Sequence, residues 1–239
     1  MIPPPDASLC GLLATATKPE SGTHRARLRY GQSMGVQVRP ATPERWDDLV
    51  TVFGRRGNDP SWCWCQLFLS SGTDKLTSSR PTADNRKALQ QEVAHALQPP
   101  GLIAYVEDHP VGWSRVGPRS AFPRVQGNRA LARLLPDDPG AWWVTCFAVD
   151  SRHRGSGVAS ALLDAAVAFA RDHGATAVEG HPVDVAAWRA TRVSGAALFT
   201  GTKTLFAAAG FSEVGRTFPA RPVMRRLLRA PLGVREVTL

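Results

Sequence analysis

The chain contains no apolar run approaching the ~20 residues that a membrane-spanning helix needs. Its opening residues, MIPPPDASLCGLLATATKPE, show neither the basic start nor the long apolar stretch of a secretory leader. These absences predict a cytoplasmic protein with no membrane attachment. Cysteine is scarce as well: Cys10, Cys63, Cys65 and Cys146 are too few and too unevenly spaced for the disulfide framework of a secreted domain. Cys63 and Cys65 have the look of a chelating pair, but no second Cys or His pair follows at ligand spacing, so no metal is expected. Tyrosine occurs only at Tyr30 and Tyr105. A dinucleotide-type GxGxxG and a P-loop with its Lys-Ser/Thr are both missing.

What is present is an ordinary globular composition, 43% hydrophobic over 239 residues, enough to build a sizeable core without staples. The formal charge of +9 suits an anionic partner. Nucleic acid is one such partner, but the chain has no zinc-finger spacing, no RNA-binding aromatic strand and no basic helix, and its arginines are dispersed. That weighs against nucleic acid and leaves a solvated basic surface or a small anionic ligand.

The most informative stretch is Val144 to Gly174. Trp142 to Val149 is apolar except for Thr145 and reads as a short, fully buried strand, which Asp150 ends. From Gly157 the period changes: Val158, Ala161, Leu162, Ala165 and Phe169 recur at helical spacing, Ser160, Asp164 and Arg171 fall on another face, and Gly174 stands where a helix stops. Arg154, Gly155, Ser156, Gly157, Val158 and Ala159 therefore lie where a buried strand feeds a helix N-terminus. Unpaired N–H groups and the helix dipole favour an anion there, glycines let it approach, and Arg152 and Arg154 add charge: a phosphate cradle. The plain alternative is a glycine-containing connection with no ligand.

The rest of the chain falls into place around it. Residues 1–34 lack a sustained period and read as a flexible extension, leaving residues 35–239 as one domain. Val36 to Arg39 is a strand; Thr42 caps a helix with Pro43 at its first position and Trp46, Leu49, Val50 and Phe53 inward. Pro60 to Phe68 reads as a half-buried strand with Cys63 and Cys65 on one face and Trp62 and Trp64 on the other. A loop over Gly72 to Pro81 leads to a helix from Asp84 to Leu97 with Leu89, Val93, Ala96 and Leu97 inward. Leu102 to Val106 and Val111 to Val116 flank Glu107-Asp108-His109-Pro110 as a hairpin, with Gly112 marking a bulge or a close approach. Gly117 to Gly140 is a long basic connection with a short helix from Asn128 to Leu135, its Arg119, Arg124, Arg129 and Arg133 and the nearby Arg115 mostly facing solvent. Then come a strand from Ala177 to Pro182, a short helix around Val185 to Arg192, a helix from Thr202 to Ala209 stopped by Gly210, and strands from Glu213 to Thr217 and Pro222 to Leu227.

Arg154-Gly155-Ser156-Gly157-Val158-Ala159 resembles the R/Q-x-x-G-x-G/A signature of the GNAT superfamily of N-acetyltransferases, and Leu205 to Phe211 resembles the Y-x-x-x-G-F ending of a later helix of that fold. The resemblance runs from about Val36 to Leu228, and its W-C-x-C and EGHPVD segments are similar to a bacterial subgroup of unassigned acceptor. It implies an α/β GNAT fold, a mixed central sheet flanked by helices and splayed at the cofactor strand. It also implies acetyl-CoA as co-substrate, with its pyrophosphate on the cradle and its pantetheine arm on backbone groups of Phe147, Ala148 and Val149, one N–H polarising the thioester carbonyl. The partners implied are acetyl-CoA and a primary amine of a small molecule or protein, with the assembly open between monomer and homodimer.

Two departures stand out. Many members carry a tyrosine acid where this chain has Phe206. Releasing a thiolate of pKa about 8.5 unprotonated near pH 7 costs only about 2 kcal/mol, so its loss slows transfer without forbidding it. An acyl-CoA-binding regulatory module with little catalysis is the alternative this loss suggests. For the base, Glu179 is best placed in the family geometry, with His181 beside it and Asp184 beyond; a salt-bridged strand residue is the plain reading of Glu179. Cys146 reads as a small buried residue rather than a nucleophile.

Overall fold

The computed structural model describes residues 30–33, 35–54, 63–70, 81–188 and 195–228. Eight strands form one sheet: β1 Tyr30–Ser33, β2 Val36–Pro40, β3 Gly101–Val106, β4 His109–Pro118, β5 Ala141–Val149, β6 Ala177–Gly180, β7 Ser212–Phe218 and β8 Arg221–Leu227. They lie in the order β1-β2-β3-β4-β5-β6-β8-β7. Every neighbouring pair is antiparallel except β5 and β6, which are parallel and therefore need a crossover. That crossover is the longest helix, α5 Val158–Asp172. The others are α1 Trp46–Phe53, α2 Thr82–His95, the short α3 Pro123–Gln126 and α4 Arg129–Ala132, and α6 Lys203–Ala208. Among the described residues no helix is long and apolar enough to cross a membrane.

The alternation of the strands sorts the core into layers. On one face Val38, Leu102, Ala104, Val144 and Val178 pack under α5, whose Ala161, Leu162, Ala165 and Phe169 are buried as their spacing predicts. On the other face Ile103, Tyr105 and Trp113 meet Leu49 and Phe53 of α1 and Leu89 and Val93 of α2. Farther along that face, Trp143 and Val223 are covered by Phe122, Val125 and Leu131 from the segment between β4 and β5.

The sheet begins inside the segment assigned to the extension: Gly35, at φ +79°, turns the chain so that Tyr30–Ser33 pairs with β2. The remainder of that segment, 1–29 and 34, lies outside the described residues. The 107–108 turn is a two-residue hairpin with both Glu107 and Asp108 at positive φ, the mirror-image turn geometry that follows the twist of the strands. Opposite Ala104 and Tyr105 the register slips near Val111, and a Cβ on Gly112 would come within 2.9 Å of Val158 and 3.3 Å of Leu162. The bulge and the close approach expected at Gly112 are thus both present.

Other expectations need correction. α2 stops at His95, where Ala96 turns extended, and this leaves Ala96 and Leu97 exposed rather than inward. The described part of the Pro60 to Phe68 segment is not a strand: Trp64 and Cys65 take positive φ, and Cys63, Trp64 and Cys65 are all buried. Trp62, the loop over 71–80 and residues 189–194 of the expected short helix lie outside the described residues; Val185 to Ala187 is a turn. Cys65 and Cys146 form a disulfide, where the sequence pointed to no disulfide framework and to Cys146 as a small buried residue. The arginines facing solvent were also misread at Arg115 and Arg119, which are ion-paired to Glu92 and Glu179.

Candidate functional site

The pairing of β5 with β6 ends at Val144 and Gly180. One cause lies in β5: Arg115 pairs with Cys146 but Val116 with Val144, so Thr145 is an extra residue that bends the strand. The last residues of β5 then diverge from β6 and leave a gap, the splay that the family resemblance implied. Asp150 N–H donates to the Val111 carbonyl at 2.8 Å, so by alternation Ala148 also turns its backbone to β4, whereas Phe147 and Val149 turn theirs to the gap.

Beside that gap a cleft of about 610 Å³ opens between the start of α5 and the segment leading into α6. Its walls include Phe147, Val149, Arg154, Gly155, Gly157, Val158 and Ala159, seven of the residues expected to hold a cofactor. Two others do not line it. Ala148 faces β4, and Ser156 turns its hydroxyl back to donate to the His153 carbonyl at 2.7 Å, closing the turn. Gly155 and Gly157 both have positive φ, +78° and +84°, which places a left-handed step twice before the helix. These are positions four and six of the glycine pattern only when it is counted from Arg152, two residues upstream of the register read from sequence. Gly157 caps α5 without a side-chain bond, so the first N–H groups of the helix remain for a ligand. A Cβ on Gly155 would meet nothing within 4 Å, so the turn stands open. Arg152 does not contribute its charge as expected, because its guanidinium folds onto Asp150 at 2.9 Å.

The opposite wall carries residues the sequence reading missed. Phe199 accepts the Phe147 N–H at 2.6 Å, and Gly201 accepts the Val183 N–H at 2.9 Å. The 198–202 segment thus spans the neck of the gap from β5 to the chain after β6. Gly201, at φ +82°, packs tightly beneath Phe206 and Phe147. The sequence offered only the Gly201-Thr202 pair before α6 as a signal. Thr202 does cap α6, its Oγ1 accepting the Leu205 N–H at 3.2 Å. Phe206 is fully buried over Gly180 and against Phe147 and Phe211, so an apolar ring fills the position compared with a tyrosine. The Tyr105 hydroxyl is engaged elsewhere, donating to Asp48 at 2.6 Å.

The two expected catalytic residues are not in the cleft. Glu179 is wholly buried on the face opposite α5, where both oxygens are held by Arg119 and one also by Arg225. Burial pushes its carboxyl above the usual value, against the pull of the two arginines. Arg225 also reaches Asp138 at 2.5 Å, and Arg119 donates to the carbonyls of Pro136 and Asp138. The cluster ties the segment between β4 and β5 to β6 and β8 and engages both oxygens of Glu179 in ion pairs. Glu179 is thus an ion-paired, buried strand residue.

His181 follows the end of β6. Burial, with the Arg221 charge beside it, pulls its pKa down to about 4, so the ring is neutral at pH 7. Arg221 can only donate, so His181 Nδ1 accepts from it at 3.3 Å and the proton sits on Nε2, which donates to Thr217 Oγ1 at 2.7 Å. Asp184 is taken up by Arg216 and Lys203, which hold its carboxyl below the usual range. Cys146 is in the disulfide. Cys63 keeps a buried thiol, pushed up by desolvation.

Residues 64–194 match the family model described as acetyltransferase (GNAT) family. Comparison with curated proteins gives no match. Among solved structures, a Corynebacterium glutamicum protein described as histone acetyltransferase HPA2 and related acetyltransferase is 23% identical, with a TM-score of 0.49, covering 84% of this chain and 100% of that one. The GNAT domain of S. lividans PAT is 17% identical at a TM-score of 0.47, covering 81% and 90%. A ribosomal-protein-alanine N-acetyltransferase from Brucella melitensis is 17% identical at 0.44, covering 80% and 99%.

Proposed function

The chain belongs to the GNAT acetyltransferase family, and from that premise we propose that it transfers the acetyl group of acetyl-CoA to a primary amine by direct attack on the thioester. The observation that carries this reading is the cradle: two left-handed glycines, an uncapped start to α5 and a cleft running from it to the gap beside β5. In this reading the N–H groups of Val158 and Ala159 meet the pyrophosphate, with Arg154 near, and the pantetheine arm follows Phe147 and Val149 toward the gap. Ala148 takes no part.

The amine nitrogen attacks the thioester carbonyl carbon, the C–S bond breaks, CoA leaves as thiolate, and the proton shed by nitrogen passes to water. With Phe147 N–H held by Phe199, Val149 N–H is the backbone donor turned to the gap that is not bonded to that segment. With Phe206 where a tyrosine acid would stand, the thiolate leaves unprotonated or takes its proton from solvent, at a cost of about 2 kcal/mol near pH 7. The reading takes one domain that begins at β1 rather than at residue 35. A cytoplasmic setting suits it; the Cys65–Cys146 bridge is the feature that runs against that setting.

Calorimetry with acetyl-CoA tests the donor half. Wild type is expected to bind at micromolar concentration, and Gly157→Glu, which sets a carboxylate at the start of α5, to lose at least about tenfold in affinity. Unchanged affinity in that variant would move the phosphate site elsewhere. Thiol release over polyamines, aminoglycosides, amino acids and lysine peptides then separates an enzyme from a binding module.

A further inference from the structure

Most of the buried and half-buried arginines on the face opposite α5 and around the β7–β8 hairpin have carboxylates. Arg115 is paired with Glu92, Arg119 with Glu179, Arg225 with Glu179 and Asp138, and Arg216 with Asp184 and Glu213. Among the described residues Arg124, Arg226 and Arg221 have none: Arg124 donates to Ser70 Oγ and Arg226 to the Ala209 carbonyl, and Arg221 is set apart from them by its place. It opens β8 and is half-buried, and burial lowers its pKa; its Nη1 donates to Thr200 Oγ1 at 3.0 Å and its Nη2 to His181 Nδ1 at 3.3 Å. Both acceptors are neutral, and no carboxylate among the described residues lies within ion-pair distance of it. A guanidinium has five N–H groups, so these two bonds leave donors over. Removing a cation from water without an anion is costly, and such a group is normally compensated.

Its position makes this more than a packing detail. In β8 Val223 and Arg225 face away from α5, and by alternation so does Arg221; in β6 Glu179 and then His181 do the same. Arg221 therefore stands on the side of the sheet opposite the cleft beside α5. It touches both borders of the gap: His181 beyond the last β5–β6 pair, and Thr200, whose neighbour Phe199 accepts the Phe147 N–H. On the acetyl-transfer reading, a thioester lying in the cleft would end at this gap, and an acceptor approaching from the other side of the sheet would meet Arg221.

We propose that Arg221 binds a carboxylate carried by the acceptor, so that the amine acetylated belongs to a small molecule that also bears a carboxylate, as amino acids do. This rests on the acetyl-transfer reading. A planar guanidinium with free N–H groups matches a carboxylate, and Thr200 and His181 hold it in one orientation for that purpose. Arg221 is a specificity residue here, and the chemical step is the one already written.

The test is thiol release from acetyl-CoA with the proteinogenic amino acids and, in parallel, their carboxamides. Wild type is expected to favour at least one carboxylate form over its carboxamide by about tenfold or more in kcat/KM. Arg221→Gln should raise the KM for that acceptor by about as much and abolish the preference, while the KM for acetyl-CoA stays unchanged; Arg221→Lys should recover part of it. If Arg221→Gln does not fold, the wild-type comparison and the Lys variant decide. Equal use of carboxamides, a preference that survives Arg221→Gln, or a chain that binds acetyl-CoA yet turns over no carboxylate-bearing amine overturns the proposal. Failure to bind acetyl-CoA instead overturns the acetyl-transfer reading, so the two failures are distinct.

Discussion

Glu179 and His181 stand two residues apart on one strand edge, and their surroundings give them opposite electrostatic tasks. Glu179 compensates Arg119 and Arg225, both nearly buried. Glu179→Gln would leave Arg225 with Asp138 alone and Arg119 with only the backbone carbonyls of Pro136 and Asp138, a loss of about 3 kcal/mol of stability by the usual cost of breaking a buried pair. Urea denaturation measures it; a variant of full stability that has lost only kcat would instead make Glu179 the base. His181 stays neutral beside Arg221. Its folded pKa of about 4 lies below the ordinary 6.5, so the unfolded chain binds more protons between those values. Stability from this group is therefore complete above about pH 6.5 and is lost as pH falls toward 4, by at most about 3 kcal/mol. Glu179, with its pKa raised, contributes in the opposite sense, so the wild-type profile mixes the two. The difference between wild type and His181→Gln isolates the histidine: it should shrink as pH falls from 6.5 to 4, and a constant difference would refute the assignment. Neither environment was legible in the sequence, because both depend on arginines some 40 to 60 positions away, brought near by sheet order.

At the scale of elements, the sequence carried most of the fold. Strand and helix periods are local, and β5, α5 and the β3–β4 hairpin follow from them within a residue or two. The cradle was legible for the same reason: its glycines sit in a strand-to-helix turn whatever the rest of the chain does. The 63–70 segment was not, since its alternation of cysteine and tryptophan is overridden by a disulfide and by left-handed backbone at Trp64 and Cys65. The 198–202 segment carried no period at all; its place in the gap is set by hydrogen bonds to Phe147 and Val183. Gly112 shows how one residue couples two elements. It lets α5 settle on β4, and a valine there would drive its Cβ into Val158 and Leu162. Gly112→Val is expected to cost about 1–3 kcal/mol and to weaken acetyl-CoA binding, because the start of α5 is displaced with the cradle on it. Gly112→Ala should show the same two losses in milder form. Loss of stability with intact binding would mean that the cradle does not depend on this contact.

For the whole molecule, the bridge between Cys65 and Cys146 has the largest reach. It closes a loop across a sequence separation of 81 and fastens the 63–70 segment to the bent strand β5, one residue from Phe147. Trp113 N–H donates to Cys65 Sγ at 3.0 Å, so the bridge is buried in the layer formed by α1, α2 and the sheet. Closing a loop of that length restricts the unfolded chain, and bridges of this kind typically contribute about 2–4 kcal/mol. Two measurements follow. Protein purified without reductant, alkylated after denaturation and digested, should yield a Cys65–Cys146 cross-linked peptide, with Cys63 alkylated. Its denaturation midpoint should fall on adding a reductant by the equivalent of about 2–4 kcal/mol, and Cys146→Ala should remove that sensitivity. Alkylation of both Cys65 and Cys146 in unreduced protein would instead show that the two thiols rest together unbonded. The segment would then be held by its other contacts, among them the stacking of Trp64 on Phe53 at 4.9 Å between ring centres and the Trp113 bond to Cys65 Sγ, and reductant would leave the midpoint where it was.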